Sequence, residues 1–194
     1  MKLLKKLALV AGSLLIATSA IAAVEIDGVK LEDTADVGGS KLQLNGAGIR
    51  TKIIFKVYVA GVYLPQKTTS AQDVIAGAGP KRISLTFLRN LEGSDMSKAF
   101  VEGIEANTPA AELAKLQPNI ARVNALFAAH KELKKGESVL IDLVPGTGVV
   151  FTINGKAEPD PIKDAEFYAA LMKIWFGEKP ADNKLKAALL GGGK

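Results

Sequence analysis

Beyond its first twenty or so residues, the chain begins in alternation. Val24–Ile26 and Val29–Leu31 are short alternating runs divided by Asp27-Gly28, a pair that suits the two central positions of a tight hairpin turn. They predict two paired strands. Gly38-Gly39 leads into Leu42-Gln43-Leu44-Asn45, and Ile53 to Leu64 follows as a long run dense in β-branched and aromatic residues. Both read as strand. Lys81 to Leu88 alternates again, with Ile83, Leu85 and Phe87 on one face and Arg82, Ser84 and Thr86 on the other.

The period then changes. Ser94 stands where an N-cap would, and Met96, Ala99, Phe100, Gly103, Ile104 and Asn107 recur at helical spacing until Pro109 stops the run. A second helix is expected after Pro118, carrying Ile120, Val123, Phe127 and His130 on one stripe and ending near Gly136. Ser138–Leu143 and Val149–Ile153 return to strand, joined by a turn over Pro145-Gly146-Thr147-Gly148. From Asp164 the residues Phe167, Leu171, Ile174 and Trp175 are again helical in spacing, with Gly177 as the stop, and Asn183 to Leu190 adds a short terminal helix. Strands, then helices, then strands and helices again predict an α+β fold, an antiparallel sheet with helices packed on one face. No internal repeat or linker divides it.

The first residues belong to a different pattern. Lys2, Lys5 and Lys6 precede an apolar stretch from Leu7 to about Ala17, and Ala20-Ile21-Ala22 fits the small-x-small rule for cleavage. Residues 1–22 are therefore expected to be a signal peptide and residues 23–194 the working domain; Ile21-Ala22-Ala23 offers a second frame one residue on. A retained anchor is the alternative, but the apolar run falls short of the roughly 20 residues of a bilayer span and is broken by Gly12-Ser13. Cleavage changes the charge. Three of the 25 Lys and Arg leave with the leader, which brings the balance against 20 Asp and Glu close to neutrality. No basic stripe with interleaved aromatics remains, so nucleic acid is not an expected partner.

Hydrolytic and metal chemistry need constellations that are missing here. There is no Cys, which removes disulfides and thiolate ligands, and the one His is His130, on the predicted helical stripe. One His without Cys cannot make an ordinary zinc site. Gly146-Thr147-Gly148 lacks the third Gly and the following helix of a phosphate loop. No cofactor or metal is implied.

A local signature does stand out: Leu44-Asn45-Gly46-Ala47-Gly48-Ile49-Arg50, followed by Phe55-Lys56-Val57-Tyr58-Val59-Ala60-Gly61-Val62-Tyr63-Leu64. It resembles the chalcone isomerase-like superfamily, and within it the short, exported bacterial branch. The resemblance implies a ligand cleft between sheet and helices, and a periplasmic location. For the ring-closing enzyme of that superfamily it implies an arginine that positions the nucleophile, with a threonine and a tyrosine supporting the enolate. Here Arg50 keeps the arginine, whereas Tyr58 falls at the threonine, Met96 at the tyrosine and Gly103 at a substrate-contacting asparagine. Met and Gly side chains donate no hydrogen bond to an oxyanion.

Arg50 with Tyr58 matches instead the pair that holds a carboxylate in the fatty-acid-binding members. The resemblance therefore implies a non-catalytic protein that binds a fatty acid or similar amphipathic carboxylate, with Arg50 and Tyr58 as its ligand-binding residues. An intramolecular lyase using Arg50 and Tyr58, a haem carrier with His130 as ligand, and a module that binds an envelope partner are the alternatives. One geometric condition attaches to the leading reading. On a single straight strand Arg50 and Tyr58 would lie ~26 Å apart at about 3.3 Å per residue. A bend or hairpin must bring them together, and no turn signal lies between them. Tyr63 and Trp175 are expected in the core.

Overall fold

A computed structural model describes residues 23–192, so the expected leader lies outside the described residues. The chain opens with a hairpin, β1 (Ala23–Ile26) and β2 (Val29–Glu32), and enters a larger sheet through β3 (Thr34–Val37), β4 (Ser40–Lys52) and β5 (Phe55–Leu64). A short helix α1 (Ala71–Ala76) precedes β6 (Lys81–Phe87). Next come β7 (Leu91–Glu92), the long helices α2 (Gly93–Asn107) and α3 (Ala110–Ala128), and β8 (Glu132–Leu133), which pairs with β7. β9 (Ser138–Val144), β10 (Gly148–Ile153) and β11 (Lys156–Ala157) complete the sheet. α4 (Ala165–Phe176) and α5 (Asn183–Ala187) end the chain, α5 running into a π-helical turn over Ala188–Gly192.

The main sheet has seven strands in the order β11-β10-β9-β6-β5-β4-β3, antiparallel at every pairing. Its period-two alternation separates two apolar layers. On one face Ala60, Val62, Ile83, Leu85, Ile141 and Phe151 meet the helices, through Met96, Phe100, Ile104, Phe127, Leu171 and Trp175. On the other, Leu42, Leu44, Val59 and Tyr63 are covered by Leu31 of the β1–β2 hairpin and by Val37. This is the α+β architecture that the periodicity predicts, with helices on one face. Tyr63 and Trp175 are both core residues, 5% and 1% exposed.

Four local expectations need correction. The strand expected to start at Ile53 starts at Phe55, because Ile53 and Ile54 form a two-residue turn. Gly and Asn are the usual carriers of the backbone that this turn needs, and neither is present to signal it. The second long helix begins at Ala110 and passes through Pro118. An interior proline costs roughly 3 kcal/mol, and the buried stripe Leu116, Ile120, Val123 and Phe127 outweighs it. That helix also ends early, at Ala128, where the chain turns into β8, so His130 lies beyond it. Lastly, α2 starts at Gly93, one residue ahead of the expected cap. A Cβ at Gly93 would strike the carbonyl oxygens of Phe127 and His130.

Candidate functional site

The turn at Ile53-Ile54 sets the site's geometry. It folds β5 back along β4, so that Arg50 and Tyr58 become cross-strand partners. Such partners stand about 4.5–5.5 Å apart between Cβ atoms, against the ~26 Å of a straight strand. The condition that the spacing imposed is met. A register shift at Arg50/Thr51 leaves Val57 as the extra residue of β5. Bulges of this kind bend a strand and re-aim its side chains.

Arg50 and Tyr58 share the face that looks toward the helices. The Arg50 guanidinium carbon lies 5.5 Å from the centre of the Tyr58 ring. Tyr58 is 2% exposed, edge-on to Phe87 at 6.3 Å, and its hydroxyl accepts a hydrogen bond of 2.9 Å from Trp175 Nε1. Burial raises the phenol's pKa above its ordinary value of 10.0, against the lowering effect of the Arg50 charge. At neutral pH it is an O–H, with its proton still free to donate. Trp175 is itself fixed edge-on to Phe100 at 5.7 Å.

Arg50 Nε is buried without any hydrogen-bond partner. The protein also shows what a satisfied arginine fork looks like: Arg82 donates from Nε and Nη2 to the two carboxylate oxygens of Asp142, both at 2.6 Å. At Arg50 no carboxylate takes that place among the described residues.

Beside Arg50 opens a cavity of about 370 Å³ beneath the β4–β5 tip and against the first half of α2. Ile53, Phe55, Val57, Leu91 and Ala99 make its apolar part, and Arg50, Lys52, Arg89 and Lys98 face Asp95 and Glu102 in its polar part. Such a volume is at the small end for a ligand site, and the mixture of walls suits an amphipathic molecule. Tyr58 does not line it; it stands behind Arg50.

The glycines ahead of Arg50 serve a different neighbour. A Cβ at Gly46 would run into the carbonyl oxygens of Ala188 and Leu189, and one at Gly48 would lie 2.7 Å from the Ala188 Cβ. The C-terminal segment therefore packs directly on β4. Asn45, the bulged residue of β4, donates from Nδ2 to Leu189 O at 2.8 Å. At the segment's start Asp182 accepts from Thr51 N at 3.0 Å, next to Arg50, and caps α5 through the amides of Lys184 and Leu185. Burial pushes the Asp182 carboxyl upward, but these three amides outweigh it and hold it below the ordinary carboxylate range.

A family model described as chalcone isomerase-like matches residues 23–191. The chain belongs to the chalcone isomerase-like family. Among solved structures it is similar to a fatty-acid binding protein of Arabidopsis thaliana, with a TM-score of 0.68 and 17% identity, over 87% of this chain and 96% of that one. At that identity the likeness carries the fold. Comparison with curated protein sequences gives no match.

The other positions that the family resemblance brought forward lie away from the cavity's lining. Met96 is 1% exposed in the core, and Gly103 packs against Ile174 so closely that a Cβ would sit 3.0 Å from its Cγ2. His130 is half-buried past the end of α3, with its N–H donating to Phe127 O, and does not line this cavity. Sequence reasoning missed Lys52, Arg89 and Asp182, which fold onto the Arg50 end of the sheet from three separate segments. Trp175 did carry a signal, since a buried indole N–H needs an acceptor.

Proposed function

We propose that this family member is an exported, periplasmic binding protein for a fatty acid or similar amphipathic carboxylate, with Arg50 as the head-group contact and Tyr58 as the residue that holds Arg50 in place. The observation that carries the reading is Arg50, whose side chain lines an amphipathic cavity while its buried Nε has no partner. Leaving a buried donor unpaired costs about 1–3 kcal/mol, and a carboxylate accepting from Nε and a terminal nitrogen removes that cost. The acyl part then lies against Val57, Leu91 and Ala99. The similar Arabidopsis fold, whose own description is a fatty-acid binding protein, supports the ligand class. The basic-apolar-small pattern of residues 1–22 supports export.

Calorimetric titration with a long-chain carboxylate and the matching alcohol tests the head group. Arg50→Ala should weaken the carboxylate by about ten- to a hundred-fold, the worth of a charge-assisted fork of ~1.5–3 kcal/mol, and leave the alcohol nearly unchanged. Arg50→Lys should recover only part of the loss, because an ammonium lacks the planar fork. Equal weakening of both ligands, or no micromolar binding by the wild type, sinks the proposal. Mass spectrometry of the protein from its native cells reads the carried lipid and the mature N-terminus together, and an intact residue 1 would refute cleavage of the leader.

A further inference from the structure

The hairpins of this protein do not turn alike. Asp27-Gly28, Gly38-Gly39 and Asn154-Gly155 all place both central residues at positive φ, where Gly, Asn and Asp are at ease. The β4–β5 turn places Ile53 at φ 61, a backbone that a β-branched residue adopts only under strain. Among the described residues nothing buries Ile53 or Ile54, which are 88% and 79% exposed, and Phe55, with Arg89 over its ring, is 53% exposed: three consecutive apolar side chains at the apex of a hairpin. Folding alone would favour Asn or Gly at the turn and polar neighbours beside it. Both local rules are broken at one spot, and that spot forms the rim of the Arg50 cavity.

The surroundings indicate what the tip meets. Arg89 stacks its guanidinium over the Phe55 ring at 5.0 Å, and Lys52 adjoins the turn. Lys134 and Lys135 belong to a loop tied to the same end of the sheet by Gly136 N donating to Phe87 O and Lys135 N donating to Asn90 Oδ1. Lys52, Arg89, Lys134 and Lys135 make no ion pair among the described residues. Of the carboxylates at this end, Asp27 pairs with Lys56 and Glu102 with Lys98, Glu132 and Glu137 accept from the Asn90 amide and the Lys134 N–H, and Glu92 stands exposed opposite Glu132. Asp95 faces into the cavity.

From this we infer that the β4–β5 tip docks on an anionic lipid bilayer, with Ile53, Ile54 and Phe55 entering the interface and Lys52, Arg89, Lys134 and Lys135 meeting the head groups. An apolar wedge with unpaired cations at the same end of the sheet fits that surface. A stable protein interface buries about 1,000 Å² or more, which three side chains on a convex tip do not supply. The inference deepens the binding reading and rests on it in one respect: the bilayer is where the carboxylate enters the cavity whose rim these residues form.

Co-sedimentation of the full mature chain with lipid vesicles, without added carboxylate, tests docking apart from ligand binding. Wild type should bind vesicles of phosphatidylcholine and phosphatidylglycerol in equal parts, bind phosphatidylcholine alone far less, and lose binding as salt rises. Ile54→Asn should lower the partition coefficient by about ten-fold or more, and Lys134→Gln and Lys135→Gln by about five-fold each. Ile53→Asn is the decisive variant, since relief of strain should leave its melting temperature equal or higher while its vesicle binding falls. Equal binding to both vesicle types, wild-type binding by Ile54→Asn, or a melting temperature lowered by Ile53→Asn would overturn the inference. So would a wild-type dimer in sedimentation that Ile54→Asn dissociates, which would put a second copy on the tip. A failed carboxylate titration with intact vesicle binding would instead remove only the reading of the cavity.

Discussion

Gly46→Ala should destabilise the protein by about 2 kcal/mol, and the loss should appear first in the C-terminal segment. The added methyl would lie 2.5 Å from Leu189 O and closer still to Ala188 O. Both obstacles are backbone, so no rotamer change relieves them. To reach an ordinary contact of about 3.5 Å the segment must retreat by roughly 1 Å. Overpacking of this kind costs ~1–3 kcal/mol. The retreat also weakens the bond from Asn45 Nδ2 to Leu189 O, worth ~1 kcal/mol. Against these, replacing glycine restricts the unfolded chain and returns ~0.4–1 kcal/mol. For a domain of this size the net figure lowers the melting temperature by ~4–8 °C. Gly48→Ala should cost less, because its obstacles include the Ala188 methyl and the movable end of Leu185.

Thermal unfolding followed by circular dichroism reads the cost, and limited trypsin digestion reads its location, since Lys184 and Lys186 lie in the segment that must move. Faster cleavage at these two lysines should accompany the fall in melting temperature. An unchanged melting temperature together with lost carboxylate affinity would refute the reasoning, because the glycine would then be making room for ligand and not for backbone.

Two further substitutions probe the polar groups of the core. Trp175→Phe keeps a ring against Phe100 but removes the donor to the Tyr58 hydroxyl, and should cost ~0.5–1.5 kcal/mol in urea unfolding; a neutral result would mean that this bond is not formed. Lys81, whose Nζ donates to Val74 O, has its pKa lowered by burial from 10.5 to about 8. Between those values the unfolded chain holds a proton that the folded chain has released, so stability should rise with pH from about 8 until tyrosine ionisation intervenes. Above 10 the sign reverses, because Tyr58 and Tyr168 are held protonated by burial in the fold while their unfolded counterparts ionise. Lys81→Met should flatten the rise in melting temperature above pH 8, and an unaltered profile would show that the amine is not the group responsible.

Periodicity made most of the fold legible, and it failed where tertiary contacts overrule local preference. The alternation at Lys81–Leu88 and the helical stripe through Phe167, Leu171 and Trp175 state their own partners, since each has one apolar face to bury. Asp27-Gly28 states its turn. Pro118 misleads because a buried stripe continues across it, and α1 escaped notice because six residues are too few for a period. The Ile53-Ile54 turn is the instructive failure. Its residues favour strand, and only the hydrogen-bonded register of Arg50 with Tyr58 shows that the chain reverses there. At the site, the family pattern led to Arg50 and Tyr58, but spacing alone could not show that Tyr58 would point its hydroxyl at Trp175 rather than into a cavity.

β4 does two different jobs along its length, and the division limits the directions from which the carboxylate proposed for Arg50 could approach it. Its middle, with the Asn45 bulge and the side-chain-free Gly46 and Gly48, is occupied by the C-terminal segment, whose Leu185 and Leu189 are almost wholly buried. Asp182 pins the start of that segment to Thr51, immediately past Arg50. The ground over the glycines is therefore filled, and an acyl chain held at Arg50 cannot lie along it without unseating the segment and breaking the Asn45 bond to Leu189. The remaining space runs the other way, beneath the tip and toward α2, where Val57, Leu91 and Ala99 supply an apolar wall. Val57 faces that space because it is the bulged residue of β5. The same two irregularities that break the β4–β5 ladder thus close one end of the site and open the other, and the open end is the one that carries Ile53, Ile54 and Phe55.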